Sequence, residues 1–181
     1  MSVIFLIGFM GCGKSTLGRA LERRAGVYFT DLDDEIERRA GMTIPEIFAT
    51  RGEEEFRALE RDTLRSLSIT DRAAPTVIAC GGGTPCQPGN MELMDSLGTT
   101  VLLEAERERL VRRLIEGKAK RPLIAGLADA DIPGFIDRKL AERAPYYNRA
   151  KARFNSTLLE NEREITATVN RFIQRFLSPL S

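Results

Sequence analysis

The chain has 181 residues, 27 basic and 26 acidic side chains, three cysteines and no histidine. That length suits one domain with a core large enough to fold without covalent staples, and a net charge of +1 gives no general attraction to nucleic acid or anionic membrane. The missing histidine excludes Ser-His-Asp and Cys-His triads, histidine metal sites and imidazole proton transfer, and Cys12, Cys80 and Cys86 contain no CxxC pair.

The first predicted strand, Val3–Ile7, has no basic leader before it and runs straight into glycines, so no signal peptide is expected. The odd, unpaired cysteines fit a reducing cytoplasm. Gly8-Phe9-Met10-Gly11-Cys12-Gly13-Lys14-Ser15 then matches G-x-x-x-x-G-K-[ST] between this strand and a predicted helix, Lys14–Ala25. Glycines let backbone N–H groups curl around phosphate, and the helix N-terminus adds a favourable field. The motif implies ATP, with Lys14 on the β/γ-phosphates and Ser15 as a ligand of Mg²⁺.

A second strand, Val27–Thr30, leads into Asp31-Leu32-Asp33-Asp34 and a helix over Glu35–Ala40. If the chain stays extended, Asp31 and Asp33 share a face on the rim beyond the strand ends, where parallel sheets bind ligands. One aspartate would then serve Mg²⁺ and the other a substrate hydroxyl; equally, Asp33 or Asp34 could cap the helix. Thr43-x-x-Glu46 reads as a capping box. Phe56, Leu59, Thr63, Leu64 and Leu67 form a helical stripe, on which Arg57 could simply pair with Glu53 or Glu60.

The third strand, Thr76–Cys80, opens into Gly81-Gly82-Gly83-Thr84-Pro85, and Thr99–Leu103 is the fourth. Glu116 to Gly126 carries Lys118, Lys120 and Arg121 with glycines and a proline, the composition of a hinged lid bringing cations to phosphates. Arg143 precedes Pro145, which should end or kink its helix, so that Arg143 could cap carbonyls or bind ligand. A fifth strand at Lys151–Asn155 and a helix carrying Ile165, Val169, Phe172, Ile173 and Phe176 complete an α/β chain with a parallel sheet covered on both faces.

In this order, the P-loop, the aspartate pair, Gly52-Glu53-x-x-Phe56-Arg57, the triple glycine and Arg121-Pro122-Leu123 resemble the shikimate kinases, a nucleoside-monophosphate-kinase-like P-loop group. Gly41-Met42-Thr43-Ile44-Pro45-Glu46-Ile47-Phe48 and Glu142-Arg143-Ala144-Pro145-Tyr146-Tyr147 fit as well, so the likeness runs from Ile4 to about Phe176. The resemblance implies a three-layer P-loop kinase with a five-stranded parallel sheet of order 2-3-1-4-5. One kinase domain would span residues 1–181, with substrate-binding helices at about 32–61 and a lid at about 114–127. It implies transfer of the γ-phosphoryl of Mg·ATP to the 3-hydroxyl of shikimate, toward chorismate and the aromatic amino acids.

By the same resemblance, Gly11, Cys12, Gly13, Lys14, Ser15 and Thr16 bind nucleotide, and Asp31 joins the Mg²⁺ surroundings through water. Asp33 holds the shikimate hydroxyls and is the candidate base. Arg57 and Arg143 bind the carboxylate, and Gly81, Gly82 and Gly83 line the substrate pocket. Arg121 is the lid arginine at the phosphates. Arg113 stacks on adenine, with Arg112 as the alternative, while Asn155-Ser156-Thr157 offers no pattern that assigns base contacts. A monomeric cytoplasmic enzyme is expected. A P-loop kinase of another small metabolite such as gluconate, or a non-catalytic nucleotide binder, are the competing readings.

Overall fold

A computed structural model describes residues 3–68 and 73–177; the side chain of Lys120, one of the expected lid cations, lies outside what is described. Five strands, β1 (Val3–Ile7), β2 (Tyr28–Asp31), β3 (Thr76–Ala79), β4 (Thr99–Glu104) and β5 (Ala152–Asn155), form one parallel sheet in the order β2-β3-β1-β4-β5. The expected order is thereby borne out. Because β1 is central and buried throughout, all five of its positions can be apolar.

Strand alternation divides the interior into two cores. Ile4 and Leu6 point to one face, against Leu17 and Leu21 of α1 (Lys14–Ala25) and Val169 and Phe172 of the C-terminal helix. Val3, Phe5 and Ile7 point to the other, against Leu32 and Ile36 of α2 (Leu32–Ala40) and Phe56 and Leu64 of α3 (Ile44–Ser68). Gly18 brings α1 close to β2: a Cβ there would stand 2.0 Å from the Phe29 ring. Further along lie α4 (Asn90–Leu97), α5 (Arg107–Glu116), the short α6 (Pro122–Ala125), α7 (Ile132–Tyr147) and α8 (Glu162–Phe176).

Local expectations change at the aspartate pair and at Pro145. α2 begins at Leu32, three residues early, because Asp31 is its N-cap and accepts a 3.2 Å bond from the Asp33 amide. Asp33 therefore stands in a first helical turn and not in extended chain, and neither Asp33 nor Asp34 is the cap. Gly52, at φ 83° and ψ 174°, breaks the helical path inside α3. Pro145 does not end α7, which runs on to Tyr147: the proline forgoes its own backbone bond to the carbonyl of Ala141, and the Tyr147 hydroxyl anchors the last turn on the Gly82 carbonyl at 2.8 Å. The capping box stands as read, with the Thr43 amide donating to Glu46 Oε2 at 2.7 Å. All three cysteines are free, and among the described residues no helix is long and apolar enough to cross a membrane.

Candidate active site

The P-loop leaves the carboxyl end of central β1 and closes on itself through Lys14, whose ammonium donates to the carbonyls of Gly8 at 2.8 Å and Phe9 at 3.0 Å. Gly11 and Gly13 have φ of 81° and 96°. They are also crowded, since a Cβ on Gly11 would meet Leu114 at 2.6 Å and one on Gly13 would meet Leu159 at 2.4 Å. Cys12 is only 1% exposed, and Lys14 Nζ lies 3.8 Å from its Sγ. Its thiol does not line the cleft, so Cys12 contributes to the nucleotide loop through its main chain.

Beside the loop, Ser15 Oγ donates to Asp31 Oδ2 at 2.5 Å. Asp31, in place of Asp33 or Asp34, is thus the cap of α2, and its other carboxylate oxygen is aimed at the head of α1. Asp33 is pushed up to about 6, by burial first and then by Asp31 and Glu60, with Lys14 pulling it back. A Cβ on Gly81 would lie 2.9 Å from Asp33 Oδ1, and one on Gly82 would lie 2.8 Å from Arg143 Nη1. The glycine run is a floor on which a carboxylate and a guanidinium rest where any side chain would stand.

Arg57 makes the helix pairs its position allowed, to Glu53 at 3.2 Å and Glu60 at 3.2 Å, and its guanidinium also faces Gly83, 3.8 Å from where a Cβ would be. Glu60 is 2% exposed and accepts from Thr84 Oγ1 at 2.7 Å, so a buried acid fixes one edge of that arginine. Arg143 lies over the Phe9 ring at 5.5 Å, and its Nη1 is buried with no hydrogen-bond partner among the described residues. Among the described residues it caps no helix end. Burial pushes the neighbouring Tyr147 hydroxyl up, against the pull of Arg143.

A cleft of about 1060 Å³ joins these groups. It is lined by Gly11, Gly13, Lys14, Ser15, Thr16, Asp31, Asp33, Gly81, Gly82, Arg113 and Arg121 from the expected set, and by Arg112. Arg143 stands against Gly82 and Arg57 faces Gly83, and none of Arg57, Gly83 and Arg143 lines the cleft. Arg113 donates to the carbonyls of Gly11 at 3.1 Å and Thr157 at 2.6 Å, whereas Arg112 pairs with Glu160 and Glu116. Arg121 Nη1 reaches the Arg113 carbonyl at 3.4 Å, seated over Gly117. Burial holds both Arg113 and Arg121 below the usual guanidinium range.

Sequence reasoning missed Glu60, Tyr147 and the wall Ser156–Glu160. Glu60 was visible as the i+3 partner of Arg57. For Ser156, whose Oγ donates to the Cys12 carbonyl at 2.6 Å, no local pattern signalled a contact 144 residues away.

A sequence model described as shikimate kinase matches residues 10–174. A shikimate kinase of Phocaeicola vulgatus is 44% identical over 170 residues, 94% of this chain and 95% of its own. The crystal structure of a shikimate kinase from Bacteroides thetaiotaomicron superposes with a TM-score of 0.90 at 41% identity, covering 98% of this chain and 99% of that one. A shikimate kinase from Acinetobacter baumannii, solved in complex with shikimate, gives 0.82 at 33% identity, over 100% of this chain and 96% of its own. Neither a different small-metabolite kinase nor a non-catalytic nucleotide binder is favoured by these matches. A P-loop on the central strand of a 2-3-1-4-5 sheet, and relatives aligned over nearly their whole length, lead to one conclusion: the chain belongs to the shikimate kinase family of ATP-dependent kinases.

Proposed function

We propose that the chain moves the γ-phosphoryl of ATP to the 3-hydroxyl of shikimate, giving shikimate 3-phosphate and ADP on the route to chorismate and the aromatic amino acids. The observation that carries the substrate assignment is the buried Arg143 Nη1, unpartnered among the described residues and lying against Gly82. A buried guanidinium N–H left without an acceptor is costly, and a substrate carboxylate would satisfy it. Arg57, on the far side of Gly83, would supply the second fork. Gly81–Gly83 lets a small ring approach the backbone, and Asp33 accepts from its hydroxyls.

In the reaction the substrate O–Pγ bond forms as the bond from Pγ to the β–γ bridging oxygen breaks, and the hydroxyl proton passes to Asp33. Lys14 and Arg121 neutralise the phosphoryl oxygens, the larger part of such catalysis. Oxygen donors suit a hard cation: Ser15 Oγ and Asp31 Oδ2 stand together at the loop, and among the described residues no cluster of three or more His, Cys, Asp or Glu side chains could hold a metal alone. That is the donor set of Mg²⁺ carried in on phosphate, which when bound would screen the β- and γ-oxygens. Residues about 32–61 would be the substrate-binding part and about 114–127 the lid of a single monomeric cytoplasmic kinase.

The test is ADP release by purified protein with Mg·ATP and, separately, shikimate, gluconate or a nucleoside monophosphate. Turnover with shikimate alone is expected; preference for another acceptor overturns the assignment. Lys14→Met should lower kcat by about 10²–10³-fold, the scale of losing one transition-state donor.

A further inference from the structure

At the nucleotide end of the cleft, one carboxylate gathers three arginines. Arg109, Arg112 and Arg113 share a face of α5, and Glu160, from the loop between β5 and α8, makes ion pairs with Arg109 and Arg112 and lies 3.7 Å from Arg113 Nε. The Arg112 guanidinium, followed by Arg109, holds the Glu160 carboxyl below the usual carboxylate range. Glu160 is itself anchored: its amide donates to Glu164 Oε2 at 3.0 Å, and Asn161 beside it caps α8.

The loop that carries Glu160 is also the back wall of the P-loop. Leu159 packs on Gly13, and Thr157 and Gly11 both receive the Arg113 guanidinium through their carbonyls. Arg113 is only 14% exposed in its side chain and makes no closer carboxylate contact than Glu160 among the described residues. Without that charge, three cations on one helix face would repel one another, and Arg113 would be drawn toward solvent, away from the two carbonyls that fix it.

We propose that Glu160 is a positioning residue for the nucleotide. It ties α5 to the P-loop's back wall and holds Arg113 and Arg112 at the mouth where the base and ribose enter. The inference rests on the kinase reading above and adds to it a residue that acts on ATP and not on the phosphoryl acceptor.

Glu160→Gln keeps the size of the side chain while removing its charge and one of its two acceptor oxygens. Fluorescent ADP titration and steady-state kinetics should show nucleotide binding weakened about tenfold. The ATP KM should rise in step, with the shikimate KM and the melting temperature unchanged. Glu160→Asp should restore part of the affinity, and in an Arg112→Gln background Glu160→Gln should cost less, because the pair is already broken. Unchanged or tighter nucleotide binding would make Glu160 a mere damper of positive charge and overturn the proposal. So would an equal rise in both KM values, which marks general loosening. Wild-type protein that binds no ADP would instead bring down the kinase reading itself, and this inference with it.

Discussion

Asp33 carries two opposed demands on one side chain. Its pKa in the folded chain, about 6, stands above the ordinary 3.8, so the folded state binds more protons than the unfolded state between those values. Stability therefore falls as pH rises from about 4 to 6, and above 6 the full cost, about 3 kcal/mol, is present. Asp33→Asn, examined by calorimetry without nucleotide or divalent cation, should melt about 5 °C or more above wild type at pH 7.5 and lose that advantage below pH 4, while turnover collapses. Equal melting temperatures at pH 7.5 would remove the electrostatic account. Arg57 separates differently. In Arg57→Lys a point ammonium replaces a planar fork already braced by Glu60, and the shikimate KM should rise several-fold with the ATP KM unmoved. Neither residue's environment was legible from its neighbours in sequence. Arg57 could be read as an ordinary helix pair because it is one, and only the fold shows that it also faces Gly83.

Among the elements, two of the crowded glycines, Gly82 and Gly18, predict opposite failures. A methyl group at Gly82 would meet the far end of Arg143, which can swing aside, so Gly82→Ala should leave the melting temperature near wild type and raise the shikimate KM. A methyl group at Gly18 would run into the Phe29 ring between α1 and β2, where nothing gives cheaply. Gly18→Ala should lower stability by about 1–3 kcal/mol, read by urea unfolding. The strand and helix order was legible because β1 is uniformly apolar and the helices keep their stripes. Where the reading slipped, a local bond outweighed pattern: Asp31 turned the chain into α2 early, and the Tyr147 hydroxyl held the end of α7 past its proline.

Across the whole molecule, the nucleotide half of the site is assembled from distant parts of the chain: β1 and its loop, α5, and the wall after β5. A ligand that touches all of them stabilises the fold as one unit. ADP at a hundredfold excess over its Kd should add about 2.7 kcal/mol, read as a rise in melting temperature that Lys14→Met largely abolishes. The motifs located this half of the site, but the wall itself escaped, since Ser156 and Glu160 take their meaning from partners far away in sequence. The glycines show what such an assembly asks of inheritance. At Gly11, Gly13, Gly81 and Gly82 a β-carbon would stand within 3 Å of the end of Leu114, Leu159, Asp33 or Arg143, so even the addition of one methyl group must displace a side chain of the site or its wall. Positions that carry no side chain thus constrain inheritance alongside the residues that do the chemistry, through the groups they let approach.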